Sequence, residues 1–117
     1  MFKYKATVLS IYDADTITVE LRKSFPIGFG MRLDWVWTGR KCRLFGINAP
    51  EMRGPEKADG TIARDALREL ILGKEIILQT RKDKSGKYGR LLVDVYLGDL
   101  HINPWLVMNG YARWQDY

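Results

Sequence analysis

Residues 6–21 read ATVLSIYDADTITVEL. The first six are apolar and rich in β-branched side chains. From Thr16 onward, Ile17, Val19 and Leu21 alternate with Thr16, Thr18 and Glu20, the period of a strand that buries one face. Asp13-Ala14-Asp15 lies between the two runs as a short turn with two carboxylates. The chain therefore opens with two strands and a tight connection.

Working outward, Leu33, Trp35 and Trp37 alternate with Asp34 and Val36, and residues 25–30 (FPIGFG) combine turn formers with apolar side chains. Residues 22–37 read as a long hairpin extension, with Thr38-Gly39 turning the chain into a third barrel strand at residues 40–47. Residues 48–60 are a loop punctuated by Pro50, Gly54, Pro55 and Gly60. Thr61 is the expected N-cap of a helix. Its apolar stripe is Ala63, Ala66, Leu67, Leu70 and Ile71, and Gly73 follows its end. Strands are expected at residues 74–81 and 91–97. Asn103-Pro104 predicts an N-cap and first-turn proline for a short helix ending near Gly110. This order describes an α+β, mostly β chain. It fits an OB-fold, a five-stranded Greek-key barrel with a helix between strands three and four. An extended hairpin follows strand two, and a short C-terminal helix completes it.

At 117 residues the expected organisation is a single domain over residues 1–117. An apolar fraction of 46% argues against intrinsic disorder. No run of 18 apolar residues is present, so no spanning helix and no membrane partner are expected. One cysteine, Cys42, and one histidine, His101, exclude an internal disulfide, a four-thiolate metal site and a zinc centre built on histidines. Cys42 reads as a small buried hydrophobe and His101 as a surface residue near the second helix. The N-terminal residues lack the apolar core of a signal peptide, so the default location is cytoplasmic, with a removed leader still compatible. The net charge is +5, and residues 81–90 (RKDKSGKYGR) hold five basic residues against one Asp. That concentration points to an anionic partner.

Four clusters could carry chemistry: Asp13/Asp15, Arg43, residues 48–51 (NAPE), and residues 87–90 (KYGR). Each alone has a plain structural explanation: turn caps, a strand's solvent face, a loop, a basic hairpin tip. Together, DADT at residues 13–16, RLFGINAPE at 43–51, KYGR at 87–90 and Asn103, Leu106, Val107, Gly110 and Ala112 resemble the staphylococcal nuclease (thermonuclease) family. The resemblance spans most of the chain and is weakest over residues 24–39. It implies an OB-fold phosphodiesterase that hydrolyses DNA and RNA with one Ca²⁺ ion. By that resemblance Arg43 and Arg90 match the catalytic arginines, and Glu51 the residue that orients or deprotonates water. Asp15, Asn48 and the Ala49 carbonyl match the calcium ligands, while Lys87 and Tyr88 match substrate-binding positions. Asp13 is expected to support or cap rather than ligate.

The residue types suit that chemistry. Guanidinium groups donate paired hydrogen bonds to phosphate oxygens, on which charge grows in the transition state. A hard cation takes oxygen ligands. One departure matters: the best-known member of the family has Asp where this chain has Asn48, which removes a negative charge and predicts weaker calcium binding. Phe25, Phe29, Trp35 and Trp37 are suited to stacking on bases. They are equally suited to packing a second small core or a homodimer interface, so both monomer and hairpin-mediated dimer are open. The alternatives to an enzyme are a non-catalytic OB-fold module that binds single strands or a protein partner, and an interaction domain built on the Trp-rich hairpin.

Overall fold

The computed structural model describes residues 3–81 and 90–115. β1 (Lys3–Asp13), β2 (Thr16–Gly28) and β3 (Met31–Leu44) form an antiparallel meander. A two-residue strand β4 (Ile47–Asn48), a one-turn 3₁₀ helix (Gly54–Glu56) and helix α1 (Lys57–Ile71) follow. Next come β5 (Glu75–Thr80), β6 (Leu91–Leu97), β7 (Leu100–His101), helix α2 (Ile102–Met108) and β8 (Arg113–Trp114). The main sheet runs β3-β2-β1-β5-β6-β7, and a parallel pairing of β3 with β6 closes it into a barrel. This is the OB-like five-stranded barrel expected from the order of elements, with α1 between its third and fourth long strands.

The core follows from strand period. Ile17, Val19 and Leu21 of β2 point inward, as do Cys42 and Leu44 of β3, and all are buried. Ala63, Leu67 and Ile71 bring the apolar stripe of α1 against the barrel, and Ile102 and Leu106 of α2 complete the core. Burial pushes the Cys42 thiol up to about 12, consistent with an inert, hydrophobe-like cysteine. Gly73, just past α1 with φ 76°, donates its N–H to the Val8 carbonyl at 2.9 Å, so the helix stop also ties α1 to β1.

Several local expectations are corrected. Gly39 is not a turn: β3 runs unbroken through it, and the pairing register shifts by one residue there, leaving Gly39 at φ 79° as a bulge. β3 ends at Leu44 rather than at residue 47, and Ile47–Asn48 pairs instead with β8. α1 begins at Lys57, and Thr61 lies inside it, its hydroxyl donating to the Lys57 carbonyl at 2.8 Å. The hairpin extension of β2 and β3 is as long as expected, paired out to Gly28–Met31. It packs no second core: Phe25, Leu33, Trp35 and Trp37 share one face and stay 39–56% exposed.

Asn103 caps nothing; His101 precedes α2 as its boundary residue. The Asn103 side chain is 2% exposed and acts as a staple. Its amide donates to the Phe45 carbonyl (3.0 Å) and the Val93 carbonyl (3.1 Å), and its oxygen accepts from the Val95 N–H (3.0 Å). One side chain thereby joins α2, β6 and the turn after β3. His101 is half-buried rather than a surface residue. It lies 3.0 Å from the buried Asp94, which also takes an ion pair from Arg81 at 2.6 Å. Replacing Asn103 by Ala should strand the buried Val95 N–H and cost about 2–4 kcal/mol. Thermal melts should show a Tm lower by about 10 °C or more.

Candidate nuclease site

The tight β1–β2 connection places Asp15 under the end of β3. Its carboxylate, 6% exposed, has every side engaged. One oxygen accepts from the Thr16 hydroxyl at 3.1 Å; the other accepts from the Ala49 N–H at 2.8 Å and faces Arg43 Nη1 at 3.1 Å. The Asp15 backbone carbonyl accepts from the Leu44 N–H (2.8 Å) and from Arg43 Nη1 (3.4 Å). Arg43 Nη2 reaches Asn48 Oδ1 at 3.5 Å. Asp15, Arg43, Asn48 and the Ala49 backbone, read separately from three stretches of sequence, thus meet at one rim of the barrel.

Asp13 stands next to this group. Its carboxyl is held above the ordinary 3.8, first by burial and then by the negative charges of Asp15 and Glu51, with Arg43 and Arg53 opposing. Its Oδ1 is buried without a hydrogen-bond partner, so that oxygen caps nothing. The Asp15 carboxylate and the Asn48 amide oxygen, brought together around Arg43 beside the unpartnered Asp13 oxygen, are hard oxygen donors of the kind Ca²⁺ takes. The set is lean: among the described residues no three His, Cys, Asp or Glu side chains gather closely enough to hold a metal. Arg43 already satisfies oxygens of both Asp15 and Asn48, so a cation there must share them with the guanidinium.

Glu51 is exposed on the loop after β4, and its N–H donates to Glu56 Oε1 at 3.4 Å. The loop's position is set by Gly60, which sequence reading treated only as a loop breaker. Gly60 is buried within α1, directly against the Pro50-Glu51 backbone. A Cβ there would collide with the Glu51 carbonyl oxygen and lie 2.8 Å from its carbon and 2.9 Å from the Pro50 carbonyl oxygen. A glycine on the inner face of a helix, three residues before an apolar stripe, was the available signal. Arg90 is half-buried immediately before β6, two residues ahead of Leu92, which pairs in parallel with Arg43. The two arginines thus arrive on neighbouring strands. Lys87 and Tyr88 lie outside the described residues.

Two variants test this geometry. Gly60→Ala gains helix propensity worth about 1 kcal/mol. The clash with the Glu51 carbonyl should outweigh it, for a net loss of about 1–2 kcal/mol in urea denaturation. For Asp13, a carboxyl raised in the folded state is penalised when ionised. The penalty is present above the folded value and vanishes below the ordinary 3.8. In metal-free buffer Asp13→Asn should therefore raise Tm at neutral pH, and melts at decreasing pH should show the gain fading.

The profile of the family described as staphylococcal nuclease homologue matches residues 41–117, which include Arg43, Asn48, Ala49, Glu51 and Arg90. A thermonuclease from Staphylococcus intermedius is 30% identical over 80 residues, covering 66% of this chain and 48% of that protein. The chain thus spans about half the length of the curated relative it matches. With the family profile matched over most of its length, the chain belongs to the staphylococcal nuclease family.

Proposed function

We propose that this chain is a calcium-dependent nuclease that hydrolyses phosphodiester bonds of DNA or RNA. The observation that carries the reading is the convergence of Asp15, Arg43, Asn48 and Ala49 on one rim, with Arg90 in neighbouring register and the Glu51 loop held beside it by Gly60. Family membership supports a nucleic-acid-processing role.

In this reading Arg43 and Arg90 hold the scissile phosphate, each through two parallel hydrogen bonds, and stabilise the charge that accumulates on its oxygens. Arg43 exchanges its present partners, Asp15 and Asn48, for phosphate. Glu51, exposed and unencumbered by an ion pair among the described residues, orients the attacking water and accepts its proton. Asp15, Asn48 and the Ala49 carbonyl would hold Ca²⁺, which when bound supplies positive charge beside the phosphate. Lys87 and Tyr88 would bind substrate on the basic loop. Only interactions that strengthen between ground and transition state accelerate the reaction, so the arginine geometry matters more than raw affinity.

Incubation with single-stranded DNA tests the proposal. Cleavage should require Ca²⁺, stop on addition of EGTA, and fall about 10²–10⁴-fold in Glu51→Ala. In a calcium titration Asn48→Asp should bind the ion more tightly than the parent. Cleavage indifferent to EGTA would remove calcium from the scheme. Tight DNA binding without cleavage would make the chain a non-catalytic OB-fold module.

A further inference from the structure

The β2–β3 hairpin ends in a two-residue turn, Phe29-Gly30, between the paired Gly28 and Met31. Both turn residues have positive φ, 53° and 72°, a conformation that favours Asn-Gly or Gly-Gly. Phenylalanine is strained there, and its side chain is fully exposed at 102%. Phe29 therefore stabilises neither the turn nor the core. Around it, Ile27 is 54% and Met31 60% exposed, and residues 25–31 carry no charge. Charge returns immediately behind the tip. Residues 22–41 contain Arg22, Lys23, Arg32, Arg40 and Lys41 against Asp34 alone. Arg22 is committed to Glu75, leaving a basic surplus farther along the hairpin. The molecule's long axis is 57 Å against 30 and 24 Å across.

We propose that this hairpin is a membrane-docking element whose tip enters the interface of an anionic lipid bilayer. Ile27, Phe29 and Met31 are each more than half exposed at a tip without charge, and cations begin only at Arg32, the order in which an anionic bilayer presents its apolar interior and its phosphates. At about 3.3 Å per residue, Ile27, Phe29 and Met31 lie within the 5–10 Å that interfacial elements reach into lipid. Arg32, cross-strand from Pro26, sits at headgroup depth. Trp35, paired with Lys23, and Trp37 lie about 10 Å and more farther up the hairpin, above the headgroups rather than in the lipid. The two indoles meet edge to face at 80°, and the Arg40 guanidinium covers the Trp37 ring at 4.6 Å. They therefore form no parallel platform for stacked bases. Such docking needs no spanning helix, and among the described residues no helix is long and apolar enough to be one. It stands independently of the nuclease reading.

The test is co-sedimentation of the full chain with phosphatidylcholine vesicles, with and without phosphatidylglycerol, for wild type and Phe29→Asn. Asparagine suits the turn, so the variant should melt at or above the wild-type Tm. Wild type should partition onto the anionic vesicles, and Phe29→Asn should lose at least about tenfold in partitioning. Failure of wild type to bind anionic vesicles would overturn the proposal, as would binding equally strong in Phe29→Asn. A concentration-dependent dimer abolished by Phe29→Asn, or a fluorescence response to oligonucleotide alone, each without vesicle binding, would reassign the hairpin to self-association or to nucleic acid.

Discussion

The candidate site depends on one buried carboxylate. Asp15 is withdrawn from water at the turn between β1 and β2, and an anion in that position must be matched by donors. The donors come from three separated parts of the chain: the Thr16 hydroxyl, the Ala49 amide and the Arg43 guanidinium. Matching them fixes the loop after β4 and the end of β3 relative to the first hairpin. The requirement that stabilises the turn is therefore also the one that assembles the site.

The same arrangement explains the balance of charge around it. Burial first, and then repulsion from Asp15 and Glu51, hold the Asp13 carboxyl up, and Arg43 and Arg53 offset part of that rise. With Asn rather than Asp at position 48 the rim carries one anion fewer, and the amide oxygen accepts from Arg43. The rim thus holds its guanidinium with a carboxylate and an amide, a weaker hold than two carboxylates would give.

Where the fold was legible in the sequence, a single physical signal was enough. Ile17, Val19 and Leu21 alternate because one face of β2 is buried, and Ala63, Leu67 and Ile71 recur at helical spacing for the same reason. Gly39 and Asn103 are ambiguous in the sequence because their local chemistry serves two purposes. A glycine with positive φ makes a turn or a bulge, and only the partner strand decides which. Asn before Pro looks like a helix cap, but its amide is used by β6 and the turn after β3, which come from distant sequence. The role of Gly60 is not written in its neighbours, because it is set by the Pro50-Glu51 backbone that approaches it. The clustering of Asp15, Arg43 and Asn48 was expected from motif resemblance, whereas the direct Arg43–Asn48 hydrogen bond was not.

The parallel pairing of β3 with β6 has a kinetic side. It joins Cys42 to Leu91 and Arg43 to Leu92, residues nearly fifty positions apart, whereas the β1–β2–β3 meander is made of near neighbours. Closing so long a loop carries an entropic cost that local hairpins avoid, so topology favours early formation of the meander and late closure of the barrel. Arg90, just before β6, comes beside the end of β3 that carries Arg43 only at that closure. A partly folded chain with only its first three strands in place keeps the two segments apart, so their approach reports on completion of the barrel.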